Sequence, residues 1–330
     1  MRLNIPIRPR RNRASFQIRE LVREARVSAS DLILPLFVIE GDKLEEPVFS
    51  MPGISRYSID LVVEKAVEAF GLGIPAIALF PRIDKALKNS QASEAINPTG
   101  LIQRTVSIIK KTLPDIIVIT DVALDPYSSD GHDGILFNNE IVNDQTVKIL
   151  CRMAVSQAEA GADIVAPSDM MDGRIGFIRK ALDEANFSRV GIMSYTAKYA
   201  SNFYGPFREA LNSGLKVGDK RTYQMDPGNS REALRELQLD TQEGADIVMV
   251  KPALPYLDVI NRIRSQTNLP IAAYQVSGEY AMIKLAEKEG WLDISNAMEE
   301  TLVSIKRAGA DMILTYFALE MAKYCKRDTI

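Results

Sequence analysis

The chain predicts an α/β protein of the closed (β/α)8 TIM-barrel kind with an extended N-terminal arm. Three observations carry this. Eight short runs of β-branched and aliphatic residues recur: LILPLFVI (32–39), PAIALFP (75–81), DIIVITDV (115–122), ADIVAPSD (162–169), VGIMSY (190–195), ADIVMVKP (245–252), LPIAAYQV (269–276) and ADMILTYF (310–317). They are apolar on both faces instead of alternating, as parallel strands covered on both sides require. Between them lie helix-like stretches such as SIDLVVEKAVEAFG, NDQTVKILCRMAVSQAEAG and AMIKLAEKEG, which gives the βα alternation of a parallel barrel.

Residues 1–30 precede the first run. RPRRNRASFQIRELVREARV is basic and then helix-like, and is expected to be an arm that packs on another subunit or a solvated tail. Residues 31–330 then form one catalytic barrel, an ordinary size for this fold. The fourth, sixth and eighth strands open with AGAD, EGAD and AGAD. Each phrase places Gly after a helix, where a positive φ closes it. This is either a faint internal repeat or one common turn solution used three times. Segment 200–230 is long for a βα connection. Its Gly, Asn, Ser and Pro suit a mobile lid over the barrel mouth, centred on 200–222.

Composition narrows the function classes. Hydrophobic content of 46% and charged content of 25% are those of a soluble globular protein. A net charge of −3 and a pI near 5.5 argue against general nucleic-acid affinity. No apolar run approaches the ~18 residues of a membrane-spanning helix. No apolar segment follows the basic N-terminus, so no signal peptide is expected. Cys151 and Cys325 fit no paired motif, and a reducing cytoplasmic setting is the simplest expectation.

Barrel enzymes carry their chemistry at the C-terminal ends of the strands. Asp121 ends the third run, Ser168 and Asp169 the fourth, Tyr195 the fifth with Lys198 just beyond, and Lys251 the sixth. The seventh runs into Ser277 and the eighth carries Tyr316. Lys251 follows IVMV and precedes Pro252, so desolvation and a second ammonium nearby should lower its pKa and free an amine for imine formation. A lysine snorkelling to water at a strand end is the plainer alternative. DVALDPYSSDGHDG (121–134) gathers four aspartates and His132, the only histidine, and looks at first like a metal site.

Six blocks together resemble the porphobilinogen synthase (5-aminolevulinate dehydratase) family. They are DVALDPYSSDGHDG, PSDMMDGRIGFIR (167–179), SYTAKYASNFYGPFREA (194–210), GDKRTYQMDPGNSREALRE (218–236), VMVKPALPYLD (248–258) and YQVSGEYAMI (274–283). The resemblance implies a lyase that condenses two 5-aminolevulinate molecules into porphobilinogen on the path to haem and chlorophyll. It implies Schiff bases on Lys251 and Lys198. Ser277 and Tyr316 would bind the first substrate's carboxylate, and Arg208 and Lys220 that of the second. Asp121 and Asp169, at strand ends, have two readings: shuttling protons or stabilising the free amine, or structural carboxylates that pair with Arg174 or another cation. It also implies a homo-oligomer, an octamer built of dimers. In zinc-dependent members three cysteines stand where this chain has Ala123, Asp125 and Asp133, so zinc is not expected here. Oxygen ligands suit Mg²⁺ or K⁺, or no metal at that place. The resemblance places an allosteric Mg²⁺ on Glu236. No organic cofactor, nucleic acid or membrane partner is expected.

Two other readings are open to the residues. A sugar-phosphate aldolase with a Schiff-base lysine would need a glycine-rich phosphate loop after the seventh and eighth strands, where VSGEY offers one glycine. A non-catalytic barrel would leave the paired strand-end lysines unexplained.

Overall fold

The structure is a computed structural model that describes residues 5–215 and 218–327. Residues 1–4 of the expected arm and 216–217 of the expected lid lie outside the described residues, as do 328–330. Eight parallel strands form the barrel: β1 (Leu32–Val38), β2 (Ala76–Pro81), β3 (Ile117–Val122), β4 (Ile164–Pro167), β5 (Gly191–Lys198), β6 (Ile247–Lys251), β7 (Ile271–Gln275) and β8 (Met312–Thr315). Each pairs with the next, and β8 returns to β1 through Leu32↔Ile313 and Ile33↔Leu314. Every predicted run holds one strand. Most end a residue or two inside the run. The fifth is longer than expected: it continues past Tyr195 through Lys198, because its last residues still pair with β6.

The outer ring contains α1 (Ile59–Gly71), α2 (Leu101–Thr112), α3 (Asn143–Glu159), α4 (Arg174–Glu184), α5 (Glu232–Glu243), α6 (Leu257–Arg264), α7 (Ile294–Ala308) and α8 (Ala318–Arg327). Each turns an apolar stripe to the sheet. In α2 the buried stripe includes Leu101, Ile102, Val106 and Ile109, spaced for one helical face. Asp293 opens α7 by accepting the Asn296 N–H at 2.9 Å, which satisfies an orphan donor of the first turn.

The GAD phrase has one structural meaning in all three places. Gly161, Gly244 and Gly309 take φ of +105°, +97° and +123°. The aspartate two residues on then clamps the preceding strand. Asp163 accepts the N–H of Val118, Asp246 that of Ile192 and Asp311 that of Ile271, at 2.8, 2.8 and 2.7 Å. Each aspartate also donates its own N–H to the carbonyl of the same residue. The starts of β3, β5 and β7 are thus tied to β4, β6 and β8 at the end of the barrel away from the site.

Sequence reading missed several insertions. A hairpin of Glu45–Pro47 and Ser55–Tyr57 extends the sheet beside β1, and Ile135–Phe137 pairs with Glu140–Val142. These strands of three residues are too short to leave a periodic signal. Helix Gly205–Leu211, after β5, was also missed, whereas helix Ser277–Lys288, after β7, stands where AMIKLAEKEG read as helical. In the N-terminal segment, Phe16–Leu21 is helical, capped by the Ser15 side chain. Among the described residues no helix is long and apolar enough to cross a membrane.

Candidate active site

The site begins with a bulge. β5 and β6 pair as Ile247↔Met193 and Val248↔Ser194, then as Val250↔Ala197 and Lys251↔Lys198. Two β5 residues, Tyr195 and Thr196, stand opposite the single Met249. Side chains alternate faces along a strand, and paired residues share a face. Without the extra residue, Lys251 would pair with Ala197 and Lys198 would point the other way. The bulge therefore puts both amines on one face at the barrel mouth, a frequent use of bulges.

Lys251 is 5% exposed and Lys198 6%. Together with Asp121, Asp125, Arg208 and Lys220 they line a cavity of about 20 Å³, room for about one water. Ser168, Tyr204, Phe207 and Gln224 complete it. The aromatic residues and Gln224 were not singled out from sequence. For the aromatics the only signal was the density of YASNFYGPF, which reads equally well as packing.

The two lysines have opposite surroundings. The Lys251 amine sits 4.6 Å from the Tyr274 ring centroid, 4.9 Å from Phe207, 5.1 Å from Tyr204 and 5.2 Å from Tyr195. Ring faces favour an ammonium by about 1–2 kcal/mol. Desolvation and the neighbouring Lys198 charge oppose this and win, bringing Lys251 from 10.5 down to about 7. Lys198 instead touches oxygen: its Nζ donates to Asp133 Oδ2 at 3.0 Å and to the Ser168 carbonyl.

Asp133 is shared. Its Oδ1 lies 2.5 Å from Lys220 Nζ, which also reaches Asp125 Oδ2 at 3.5 Å. Burial opposes the Asp133 charge, but the Lys198 and Lys220 ammoniums hold it well below the usual carboxylate range. Against the same burial, Asp125 and Asp133 hold Lys220 above the ordinary lysine value. Asp125 and Asp133 are thus neutralised by lysines. His132 turns elsewhere, its Nδ1 3.1 Å from the Tyr223 hydroxyl, which accepts the Asp133 N–H. The stretch 121–134 therefore does not converge on one centre. Among the described residues no three His, Cys, Asp or Glu side chains group to hold a metal.

Asp121 is raised to about 7 by burial and by Asp125, with one carboxylate oxygen lacking a partner. Asp169 is raised to about 6 by burial, against the pull of Arg174. It lies outside the cavity, 3.8 Å from Arg174, which also pairs with Asp240 on α5 at 3.6 Å. Tyr316 stacks on Phe37 and bonds the Tyr274 hydroxyl at 3.0 Å, one layer behind the cavity. The Ser277 hydroxyl accepts the Phe207 N–H at 3.0 Å and donates to the Phe203 carbonyl at 3.3 Å. It holds the covering segment rather than facing the cavity.

Of the segment after β5, Tyr204, Phe207, Arg208 and Lys220 line the cavity. Phe207 drops its ring onto Phe37 and Phe80, at 5.7 and 5.3 Å. Gly278 permits this closeness: a Cβ there would stand 2.6 Å from the Phe203 carbonyl oxygen. Arg56, from the hairpin after β1, grips the other end, donating to the carbonyls of Ala210 and Glu209 at 2.6 and 2.8 Å.

Glu236 lies apart, in a separate pocket of about 880 Å³ that His132 and Tyr223 also line. Burial raises its carboxyl; Arg174 opposes this, while Asp240, Asp172 and Glu232 add to it. A hard cation would relieve that negative charge, so the oxygen donors fit a magnesium ion held by one carboxylate and completed by water.

A closed (β/α)8 barrel with two buried amines converging at its mouth defines a barrel enzyme equipped for amine–carbonyl chemistry. The family profile of delta-aminolevulinic acid dehydratase matches residues 6–324. The chain is 54% identical over 322 residues to the delta-aminolevulinic acid dehydratase of Bradyrhizobium diazoefficiens, covering 97% of this chain and 91% of that protein. It is 55% identical over 324 residues to the chloroplastic enzyme of Physcomitrium patens, covering 98% and 75%. The porphobilinogen synthase of Toxoplasma gondii ME49, solved with the product porphobilinogen, superposes with a TM-score of 0.97 at 50% identity, over 99% of this chain and 94% of that one. The chain belongs to the delta-aminolevulinic acid dehydratase family and is a lyase that condenses 5-aminolevulinate into porphobilinogen.

Proposed function

We propose that Lys251 and Lys198 carry this condensation as two differently tuned imine formers. The observation that supports it is their pairing across β5 and β6, one amine ringed by aromatics and the other held by Asp133. Lys251, the readier nucleophile, attacks the ketone of the first 5-aminolevulinate, and water leaves as the imine forms. Lys198 does the same with the second substrate once Asp133 yields it, releasing the second water. The iminium on Lys198 acidifies the neighbouring carbon. Asp121, near 7 and matched to Lys251, takes that proton. The resulting enamine carbon bonds to the first imine carbon, and the first substrate's amine bonds to the second. Each lysine departs as an amine, and a last deprotonation gives the pyrrole. Asp169, tied to Arg174, acts behind this cavity by stabilising charge.

Arg208 and Lys220 take the second substrate's carboxylate, Lys220 exchanging Asp125 and Asp133 for it. Ser277 and Tyr316 take the first. Both assignments require the cover to lift, because about 20 Å³ admits no substrate. On closure, exclusion of water strengthens the ion pairs. Residues 1–30 form the arm and 31–330 the catalytic barrel. Ile7, Phe16 and Leu21, which are 78%, 63% and 85% exposed, suit the arm to packing on a second copy in an octamer of dimers. Glu236 would hold a magnesium ion that supplies charge neutralisation between packed elements and favours the active assembly. Two unbridged cysteines suit a reducing cytoplasmic compartment.

The test is incubation with 5-aminolevulinate, detection of porphobilinogen with Ehrlich's reagent, and borohydride trapping. Adducts on both lysines, and turnover abolished in a folded Lys251→Met variant, are expected. Turnover without an adduct on Lys251 would overturn the assignment.

A further inference from the structure

We infer that Glu279 is a positioning residue for the Lys251 imine: its carboxylate ties the strand end bearing Lys251 to the helix start bearing Ser277. The inference rests on Lys251 as an imine former.

Glu279 is 1% exposed. Its Oε2 accepts the Val276 N–H at 2.5 Å and its Oε1 the Leu254 N–H at 2.6 Å, with the Ala253 N–H a third donor. Burial raises its carboxyl to about 7, and only these backbone amides oppose that. A buried carboxylate without a cation is costly, so its place calls for a reason. Capping of helix Ser277–Lys288 explains the bond to Val276. It does not explain the second oxygen, which turns away from that helix to residues 253–254.

Those residues follow Lys251 and Pro252 directly. On the other side the Lys251 carbonyl accepts the Tyr199 N–H at 3.0 Å and the Tyr204 hydroxyl at 3.1 Å. The short segment 251–254 is therefore held from the covering segment at one end and by Glu279 at the other. No other side chain among the described residues bridges the β6 and β7 ends in this way. An uncharged side chain of the same shape cannot replace it: glutamine would turn its NH2 toward backbone donors and strand at least one of them.

The experiment compares the full-length wild type with Glu279→Gln and Glu279→Asp. Each is incubated with 5-aminolevulinate and borohydride, and the adducts on Lys251 and Lys198 are quantified separately by peptide mass spectrometry. Thermal melting and steady-state kinetics are recorded alongside. In Glu279→Gln the ratio of Lys251 to Lys198 adduct should fall roughly ten- to hundredfold, with kcat falling in step. Glu279→Asp, which keeps the charge, should recover part of both. If Glu279→Gln does not fold, the ratio in Glu279→Asp decides, with an intermediate fall expected. An unchanged ratio, with full activity or with both adducts declining together, overturns the inference and leaves the Lys251 assignment standing. Absence of a Lys251 adduct in the wild type overturns both.

Discussion

Lys198 and Lys251 are partners in register on β5 and β6 because β5 carries one more residue than β6 just before them. Their ammoniums repel, and Lys198 is the second-largest cause of the fall of Lys251 to about 7. Lys198→Met removes that charge and leaves Asp133 less neutralised. Both changes favour the Lys251 ammonium, so its pKa rises. The pH midpoint for borohydride trapping of substrate on Lys251 should move alkaline by on the order of one pH unit. An unmoved or acid-shifted midpoint would show that the two amines are not coupled.

Asp121 links activity and stability with opposite signs. Its folded carboxyl is near 7 against an ordinary 3.8. Below the lower value both folded and unfolded chains are protonated, and the group contributes nothing. Between the two values only the unfolded chain releases its proton, so native stability falls as pH rises, and the full penalty stands above 7. Asp121→Asn should therefore melt a few degrees higher than wild type at pH 8 and match it near pH 4. Its kcat should drop by about 10²-fold or more as the proton carrier is lost. Calorimetric melting at both pH values and steady-state kinetics check the pair.

Gly278 is defined by what lies against it. An added Cβ would stand 2.6, 2.8 and 3.0 Å from the Phe203 carbonyl oxygen, Cα and carbonyl carbon. Backbone atoms cannot swing aside as a side chain would. Gly278→Ala should lift the 202–207 turn, raise KM and lower kcat/KM by roughly tenfold or more, with little change in barrel melting. Kinetics equal to wild type would mean that the turn does not have to sit down for catalysis.

Glu236 predicts a magnesium response. Isothermal titration should detect Mg²⁺ binding that raises the melting temperature, and Glu236→Ala should abolish both. Burial holds the carboxyl above its ordinary value, so a proton competes with the ion and affinity should weaken as pH falls toward the carboxyl range. Binding retained in Glu236→Ala would move the site elsewhere.

The barrel was legible because its signal is periodic and local. Eight doubly apolar runs separated by helical patterns leave one economical arrangement, and each run held a strand. The GAD phrase was visible three times, but its use was not, because each Asp163-type bond crosses to a neighbouring strand about 45 residues away. Short hairpins were missed because three residues carry no period. The strand-end lysines were found by position, yet β5 was ended at Tyr195 because Thr196 and Lys198 are not apolar. Inter-strand pairing, not composition, carries the strand to Lys198.

The sequence by itself determined the parallel barrel, the family, and which polar side chains lie at or just beyond the ends of its apolar runs. These follow from hydrophobic period and from residue blocks contiguous in the chain. Tertiary structure alone decided that a bulge turns Lys198 to the face of Lys251, that Asp133 is neutralised by two lysines, and that His132 leaves the aspartates beside it. Those outcomes depend on register, burial and contacts between segments tens to hundreds of residues apart, where a one-residue shift reverses a side chain's face.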